Sequence, residues 1–325
     1  MSARMKLKVL SMNLVNESQI EAFENARQTR DARFDGKFFI AVRTTGIYCR
    51  PICRVRMPKV ENITLYVSAA AATEAGYRPC LRCRPEAAPG TPAWSGTSTT
   101  VKRGLRLISE GALDEQSIEE LSDKLGVTSR HLGRLFNQHL GVSPQAIAQT
   151  RRLHFAKKLI SETGLPMTEI AMSSGYGSVR RFNDHIRKVY NRSPTLLRNK
   201  RSVDADAGVK LRLPYREPFD FDGMLAFLAM RAVPQIESIV EGAYVRTLQI
   251  DGETGLLNVS QDVENRCLIC KVELTNTRPL MKVVEKVRTL FDLDADPSEI
   301  NQCLGENGEL TDLIAENPGQ RLPGA

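Results

Sequence analysis

The chain has no apolar run approaching 18 residues, so nothing in it is long enough to cross a bilayer as a helix. Its first residues, MSARMKLKVLSMNLVNESQ, are basic. They hold only a broken apolar stretch and no small-residue cleavage site of the secretory type. A cytoplasmic location is therefore expected. Histidine is scarce: His131, His139, His154 and His185 are the only four, and none has a partner at ligand spacing. A histidine-based metal site is not expected. Seven cysteines in a reducing compartment also exclude a disulfide framework. Any tight cysteine cluster then reads as metal or thiol chemistry.

What is present begins with size and charge. A length of 325 residues allows two or three domains, and 42% hydrophobic content lets each bury a core. The net charge of +7 is uneven: residues 1–201 carry +16 and residues 202–325 carry −9. A basic front suits a polyanion such as duplex DNA. The acidic last third is not expected to lie along phosphates.

The cysteine cluster is C-x3-C (Cys49, Cys53), a 26-residue gap, then C-x2-C (Cys80, Cys83). Two close pairs from two loops can give Zn2+ a tetrahedron of thiolates without distorting either loop. From spacing alone a closed structural knot is the commoner use of such a site. The flanking residues change the balance. Arg43, Arg50, Arg54, Arg56, Lys59, Arg78, Arg82 and Arg84 crowd the ligands. Four thiolates on one zinc leave a formal charge of about −2. There are more cations than that charge needs, so several are free to hold phosphate oxygens.

The stretches FDGKFFIAVRTTGIYCRPICRVRMP (34–58) and GYRPCLRCRPE (76–86) resemble the methylphosphotriester-repair domain of the Ada family, over about residues 25–86. The resemblance implies that Cys49 is both zinc ligand and methyl acceptor. It also implies that Thr45, Arg54, Arg56 and Arg78 contact DNA. The implied chemistry is a single in-line displacement by a thiolate that the metal keeps deprotonated. The product thioether is permanent, so the protein acts once. Methylation takes the cluster from about −2 to about −1, which lowers repulsion toward a DNA backbone.

Residues 101–200 are helical by pattern and contain an internal repeat. Leu121 and Gly126 match Ile170 and Gly175 at an offset of 49, and Leu132, Phe136, Ser143 and Pro144 match Phe182, Ile186, Ser193 and Pro194 at 50. Each copy reads as helix, glycine turn, helix, then a Ser-Pro helix start. Residues 144–163 read as a linking helix. Gly175, Tyr176, Ser178 and Phe182 with Ser193-Pro194 resemble the AraC/XylS-type DNA-binding region, with Tyr176 in place of the usual phenylalanine. Recognition helices are expected at about 128–138 and 178–189. Candidate groove-facing residues are Ser129, Arg130, Arg134 and Gln138 in the first, and Ser178, Arg180, Arg181 and Asp184 in the second.

The last third alternates apolar and polar residues over 209–215, 244–250, 255–261 and 266–274, which predicts strands. Helices are predicted around 223–233 and 278–293, and the final 20 residues read as turns. REPFDF (216–221), AYVRT (243–247) and VRTLFDLDADP (287–297) resemble the N-terminal domain of alkylbase DNA glycosylases. In that family the catalytic aspartate lies in a later domain. The role does not carry over to Asp292, Asp294 or Asp296, and base excision is not expected. Cys267 and Cys270 sit three apart on a predicted strand and read as core, and Cys303 reads as inert. No Pro-Cys-His-Arg motif occurs, so guanine repair is not expected either.

These readings give a multidomain α+β chain. Residues 1–88 form a small zinc-bound α/β domain and 89–100 a linker. Residues 101–200 form an all-α double helix-turn-helix domain. Residues 209–305 form an α+β domain with an antiparallel sheet, and 306–325 a tail. The expected function is a single-turnover DNA methylphosphotriester methyltransferase that becomes an activator of repair genes. Its partners would be promoter DNA and RNA polymerase, with no membrane, in a bacterial nucleoid. The alternatives are a plain AraC-type transcription factor with a structural zinc, and a truncated glycosylase fusion. Methyl transfer from treated DNA separates the first, and release of 3-methyladenine the second.

Overall fold

The computed structural model describes residues 8–9, 17–88, 99–198, 208–306 and 308–324. Much of the expected linker, and the charged segment 199–207, lie outside the described residues. In chain order the first elements are β1 (Lys8–Val9), α1 (Glu17–Thr29), β2 (Phe39–Val42), β3 (Ile47–Cys49), β4 (Ile63–Tyr66), α2 (Ala69–Glu74) and β5 (Arg78–Pro79). The helical block follows: α3 (Thr99–Ser109), α4 (Ala112–Glu115), α5 (Ile118–Leu125), α6 (Ser129–Leu140), α7 (Pro144–Glu162), α8 (Met167–Ser173), α9 (Val179–Tyr190) and α10 (Pro194–Leu197). The last group is β6 (Val209–Pro214), α11 (Phe221–Ala229), β7 (Glu237–Val240), β8 (Ala243–Ile250), β9 (Glu253–Asp262), β10 (Cys267–Leu274), α12 (Leu280–Leu290), α13 (Pro297–Gly305) and α14 (Thr311–Glu316).

Residue contacts divide the chain into two compact units. One holds residues up to Phe155 together with Arg180–Pro194, and the other holds Ala156–Val179 and Thr195 onward. The boundary falls within α7 and at the start of α9, inside the helical block.

In the first unit a mixed sheet has the order β1-β4-β2-β3-β5. The basic first residues therefore contribute a strand, with Lys8 and Val9 running parallel to β4. Strand alternation sorts the sheet's residues by face. Phe38, Ile40, Val42, Ile63 and Leu65 pack against Phe23 and Ala26 of α1. Phe39, Ala41, Tyr48 and Tyr66 pack against Ala72 of α2. Helices α3, α5 and α6 enclose an apolar core around Val101, Leu121, Leu132 and Phe136, all fully buried, which Ala70 of α2 also joins.

Local chemistry sets the helix ends of the first repeat. Ser117 and Glu120 form a capping box that starts α5. Gly126 ends α5 at φ +70°, a conformation that strains any residue with a Cβ. Thr128 then starts α6 by accepting the His131 N–H at 3.2 Å.

In the second unit the strands form an antiparallel meander with the order β6-β10-β9-β8-β7. Val209, Leu211 and Leu213 alternate inward on β6, and Phe221, Tyr244 and Phe291 sit in the core. Cys267 and Cys270 are buried free thiols on β10, as expected of core residues. Two helices end differently from the expected spans. Helix α11 ends at Ala229, and Val233 before Pro234 is pushed out of helical geometry, so the helix does not reach the expected end at 233. Helix α12 is shorter than 278–293, with Pro279 as its N-cap and Asp292 at φ +47° just past its end. The final segment is not only turns. Beyond α13 and α14, Gly319 O accepts the Asp220 N–H and Gly324 N donates to Leu290 O. Among the described residues no helix is long and apolar enough to cross a membrane.

Candidate metal centre and nucleic-acid interface

The four ligand candidates converge from two loops. Cys49 closes β3, and the Cys53 N–H donates to Arg50 O at 3.1 Å to form a tight turn. The Cys80 N–H donates to Tyr48 O at 3.0 Å, which pins the second pair beside β3. The four sulfurs lie within 4.8 Å of one another, and they form the one such cluster among the described residues. A tetrahedral metal with bonds of about 2.3 Å would hold its sulfurs about 3.8 Å apart, so the spacing fits. Cys49, Cys53 and Cys80 are buried, and Cys83 is half-buried.

The donor set needs a cation at its centre. Donation of its S–H to Cys53, Cys80 and Cys83, then burial, pushes the Cys49 thiol far up. Acceptance of hydrogen bonds from Cys49, then from Cys53 and Cys83, holds Cys80 far down. Without a metal the sulfurs share protons, because four thiolates this close repel one another. Zn2+ removes that repulsion, and the site is a zinc site.

The sulfurs are not equivalent in their backbone partners. Among the described residues the Arg50 N–H donates to Cys83 Sγ at 3.4 Å. Cys49 and Cys53, but not Cys80 or Cys83, line a cleft of about 30 Å³. Its walls include Ile40, Val42, Val55 and Met57, with Arg27 and Arg30 of the α1 end.

Arg50 is one of the basic residues that is not free for phosphate: it is largely buried and ion-paired with Asp35, with Nε 2.7 Å from Oδ1. Its Nη1 also donates to Cys83 O at 3.1 Å. Arg50 thus ties the second cysteine loop to the turn before β2. Removing one partner leaves a buried charge uncompensated. Asp35→Ala is expected to cost about 3–5 kcal/mol, read by urea unfolding. Arg84 is similarly engaged with Glu86.

The DNA-contact candidates fall in two places. Thr45 sits exposed in the β2–β3 turn, Arg54 and Arg56 are exposed on the loop after Cys53, and Arg78 is half-buried on β5. On α6, Arg130, Arg134 and Gln138 recur every fourth residue as one exposed stripe, while Leu132, Phe136 and Leu140 face inward. Ser129 is half-buried, and Arg134 Nη2 lies 3.1 Å from His131 Nδ1. On α9, Arg180, Arg181 and Asp184 are exposed, and Arg180 lies 3.9 Å from Asp184. Ser178 is half-buried and precedes that helix. The expected recognition helices 128–138 and 178–189 correspond to α6 and α9.

Sequence reasoning missed Asp35, Arg27 and Arg30 at the metal centre. All three lie more than a dozen residues upstream of Cys49, and no local pattern marks them.

Family comparisons agree with this arrangement. Residues 22–86 match the metal binding domain of Ada, residues 121–200 a helix-turn-helix domain, and residues 210–325 the AlkA N-terminal domain. The Probable bifunctional transcriptional activator/DNA repair enzyme AlkA of Mycobacterium tuberculosis is 42% identical over 305 residues, which cover 92% of this chain and 61% of that protein. The bifunctional transcriptional activator/DNA repair enzyme Ada of Escherichia coli is 35% identical over 147 residues, covering 45% of this chain and 40% of Ada. The solved DNA methyl phosphotriester repair domain of E. coli Ada is 41% identical, covering 25% of this chain and 80% of that one, with a TM-score of 0.19. The class is thus a zinc-binding protein with a helix-turn-helix region of AraC type. More narrowly, its three segments match the Ada metal-binding, helix-turn-helix and AlkA N-terminal models, and over most of its length the chain is similar to proteins named as bifunctional transcriptional activators and DNA repair enzymes. It spans about three fifths of the length of the mycobacterial relatives it matches, at 61%.

Proposed function

We propose that this protein takes the methyl group from DNA methylphosphotriesters onto Cys49 and, so alkylated, binds promoter DNA more tightly as an activator of repair genes. The observation that carries the reading is the inequality among the four sulfurs. Cys49 and Cys53 line the cleft and Cys80 and Cys83 do not, and Cys49, which closes β3, is the one at the position that the Ada resemblance gives to the methyl acceptor. Cys83 also accepts the Arg50 N–H, which draws off electron density and makes it the poorer nucleophile. Residues 22–86 match the metal binding domain of Ada, which supports the same assignment.

Bound zinc supplies the positive charge that keeps the thiolates deprotonated at neutral pH. The rest is done by the chain. A sulfur lone pair of Cys49 attacks the methyl carbon, the S–C bond forms and the C–O bond breaks. The bonding pair leaves on the phosphate oxygen, which restores an ordinary phosphodiester anion. Thr45, Arg54, Arg56 and Arg78 hold the neighbouring phosphates. Ser129, Arg130, Arg134, Gln138, Ser178, Arg180 and Arg181 face the promoter, and RNA polymerase is the partner that activation requires.

The test uses duplex DNA carrying methylphosphotriesters. Peptide mapping after incubation is expected to place a thioether on Cys49. The alkylated protein is then expected to bind duplex DNA about tenfold more tightly at low salt, with the gain shrinking as salt rises. A methyl on another cysteine removes the assignment, and equal affinities before and after alkylation remove the switch.

A further inference from the structure

Tyr48 and Cys49 are neighbours on β3, so their side chains leave the strand on opposite faces. Cys49 pairs in register with Ile40, on the α1 face. Tyr48 pairs with Ala41, on the α2 face. The Tyr48 ring is fully buried, and its hydroxyl lies 2.9 Å from His154 Nε2, 106 residues away on α7. Burial lowers the His154 pKa and raises that of the Tyr48 phenol. A neutral imidazole and a protonated phenol suit a bond in which the Tyr48 O–H donates to Nε2.

Apolar packing surrounds this polar bond. Ala70 of α2 belongs to the same buried cluster as Val101, Leu121, Phe136, Ala146 and Ala148. The Thr73 hydroxyl on α2 lies 3.4 Å from the Tyr48 oxygen. All these groups lie in one compact unit. Apolar surfaces can slide over one another at small cost, whereas a buried hydrogen bond fixes distance and direction.

We propose that His154 is a positioning residue of the metal centre, supplied by the linking helix of the DNA-binding region. Through Tyr48 it fixes β3, and with it Cys49, to α7. The link is reciprocal: whatever loosens the cysteine cluster loosens α7, and whatever loosens α7 loosens the grip on zinc. This rests on the zinc site alone and stands whether or not Cys49 accepts a methyl group.

The test uses the full zinc-loaded chain and no DNA. Two quantities are read: the rate of zinc loss to a competing chelator, and amide hydrogen exchange across residues 147–155. Tyr48→Phe and His154→Leu are each expected to speed zinc loss about tenfold, although neither residue touches the metal. Exchange across residues 147–155 is expected to rise with them. His154→Gln, whose amide reaches the position of Nε2, is expected to restore both rates to within about twofold. The double variant Tyr48→Phe/His154→Leu is expected to be no worse than either single one, since both remove the same bond. Parent-like zinc loss in His154→Leu, failure of His154→Gln to rescue, or additive effects in the double variant would each overturn the proposal. If His154→Leu cannot hold zinc at all, the rescue by His154→Gln decides alone.

Discussion

Stripping the zinc is expected to dismantle the region around the cysteine pairs while much of the helical core persists. The segments 50–59 and 79–88 contain little regular structure beyond Pro79 of β5 and a short 3-10 helix at Pro85–Ala87. What orders them is the convergence of four sulfurs, a few turn hydrogen bonds and the Arg50 side chain. The apolar neighbours of the cluster are few, chiefly Ile47 and Val55. Binding of a structural zinc to such ligands is worth roughly 10–16 kcal/mol at neutral pH. A domain this small has no other source of stability on that scale. A chelator is therefore expected to lower its unfolding temperature by well over about 10 °C. Exchange protection is expected to vanish in 50–59 and 79–88 first. Helices α3, α5 and α6 share a buried core and are expected to keep most of their far-ultraviolet signal. A zinc-free protein with an unchanged melting curve would show that the cysteines hold nothing that matters to the fold.

The second large effect concerns the acceptor. Cys49→Ser keeps size and hydrogen-bonding capacity but exchanges a thiolate for a hydroxyl that stays protonated and is a poor nucleophile. Methyl transfer from a methylphosphotriester duplex is expected to fall by at least about a thousandfold. Three thiolates remain to hold the metal, so zinc content is expected to drop only in part under mild chelation. The pair of observations matters: activity lost with metal largely kept assigns Cys49 to chemistry, whereas both lost together assigns it to structure. Cys53→Ser, on the same cleft, is the control. It is expected to weaken zinc binding to a similar degree while leaving measurable transfer.

Much of this was legible from residues alone, for identifiable reasons. Metal ligands from short turns declare themselves by spacing, and Cys49, Cys53, Cys80 and Cys83 do converge. A helix that must end sharply needs a residue at positive φ, so Gly126 and Gly175 mark the two turns of the repeat. The strands with one buried face, such as β6, alternate cleanly and are visible for that reason.

What stayed hidden depends on tertiary pairing or lacks a period. The Asp35–Arg50 ion pair, the Arg27 and Arg30 side of the cleft, and the Tyr48–His154 bond join positions with no local pattern. Strand β7 is short and lies at the sheet edge with Val240 exposed, so it buries too little to leave a signal. Helices α13 and α14 have few fully buried positions and lie among turn-forming residues. Arg50 shows the limit of counting charges. Eight basic residues crowd the cysteines, but folding commits some of them to carboxylates before any DNA arrives.

The decisive measurement is the amount of methyl carried per zinc-loaded chain after exposure to excess DNA in which the only alkylated groups are backbone methylphosphotriesters. Intact-protein mass is expected to rise by one methylene, reach a plateau at one per chain, and stay there on addition of fresh DNA. No gain in mass would leave a zinc-containing regulator without transfer chemistry, and continued lesion loss beyond one equivalent would contradict an acceptor that is spent once.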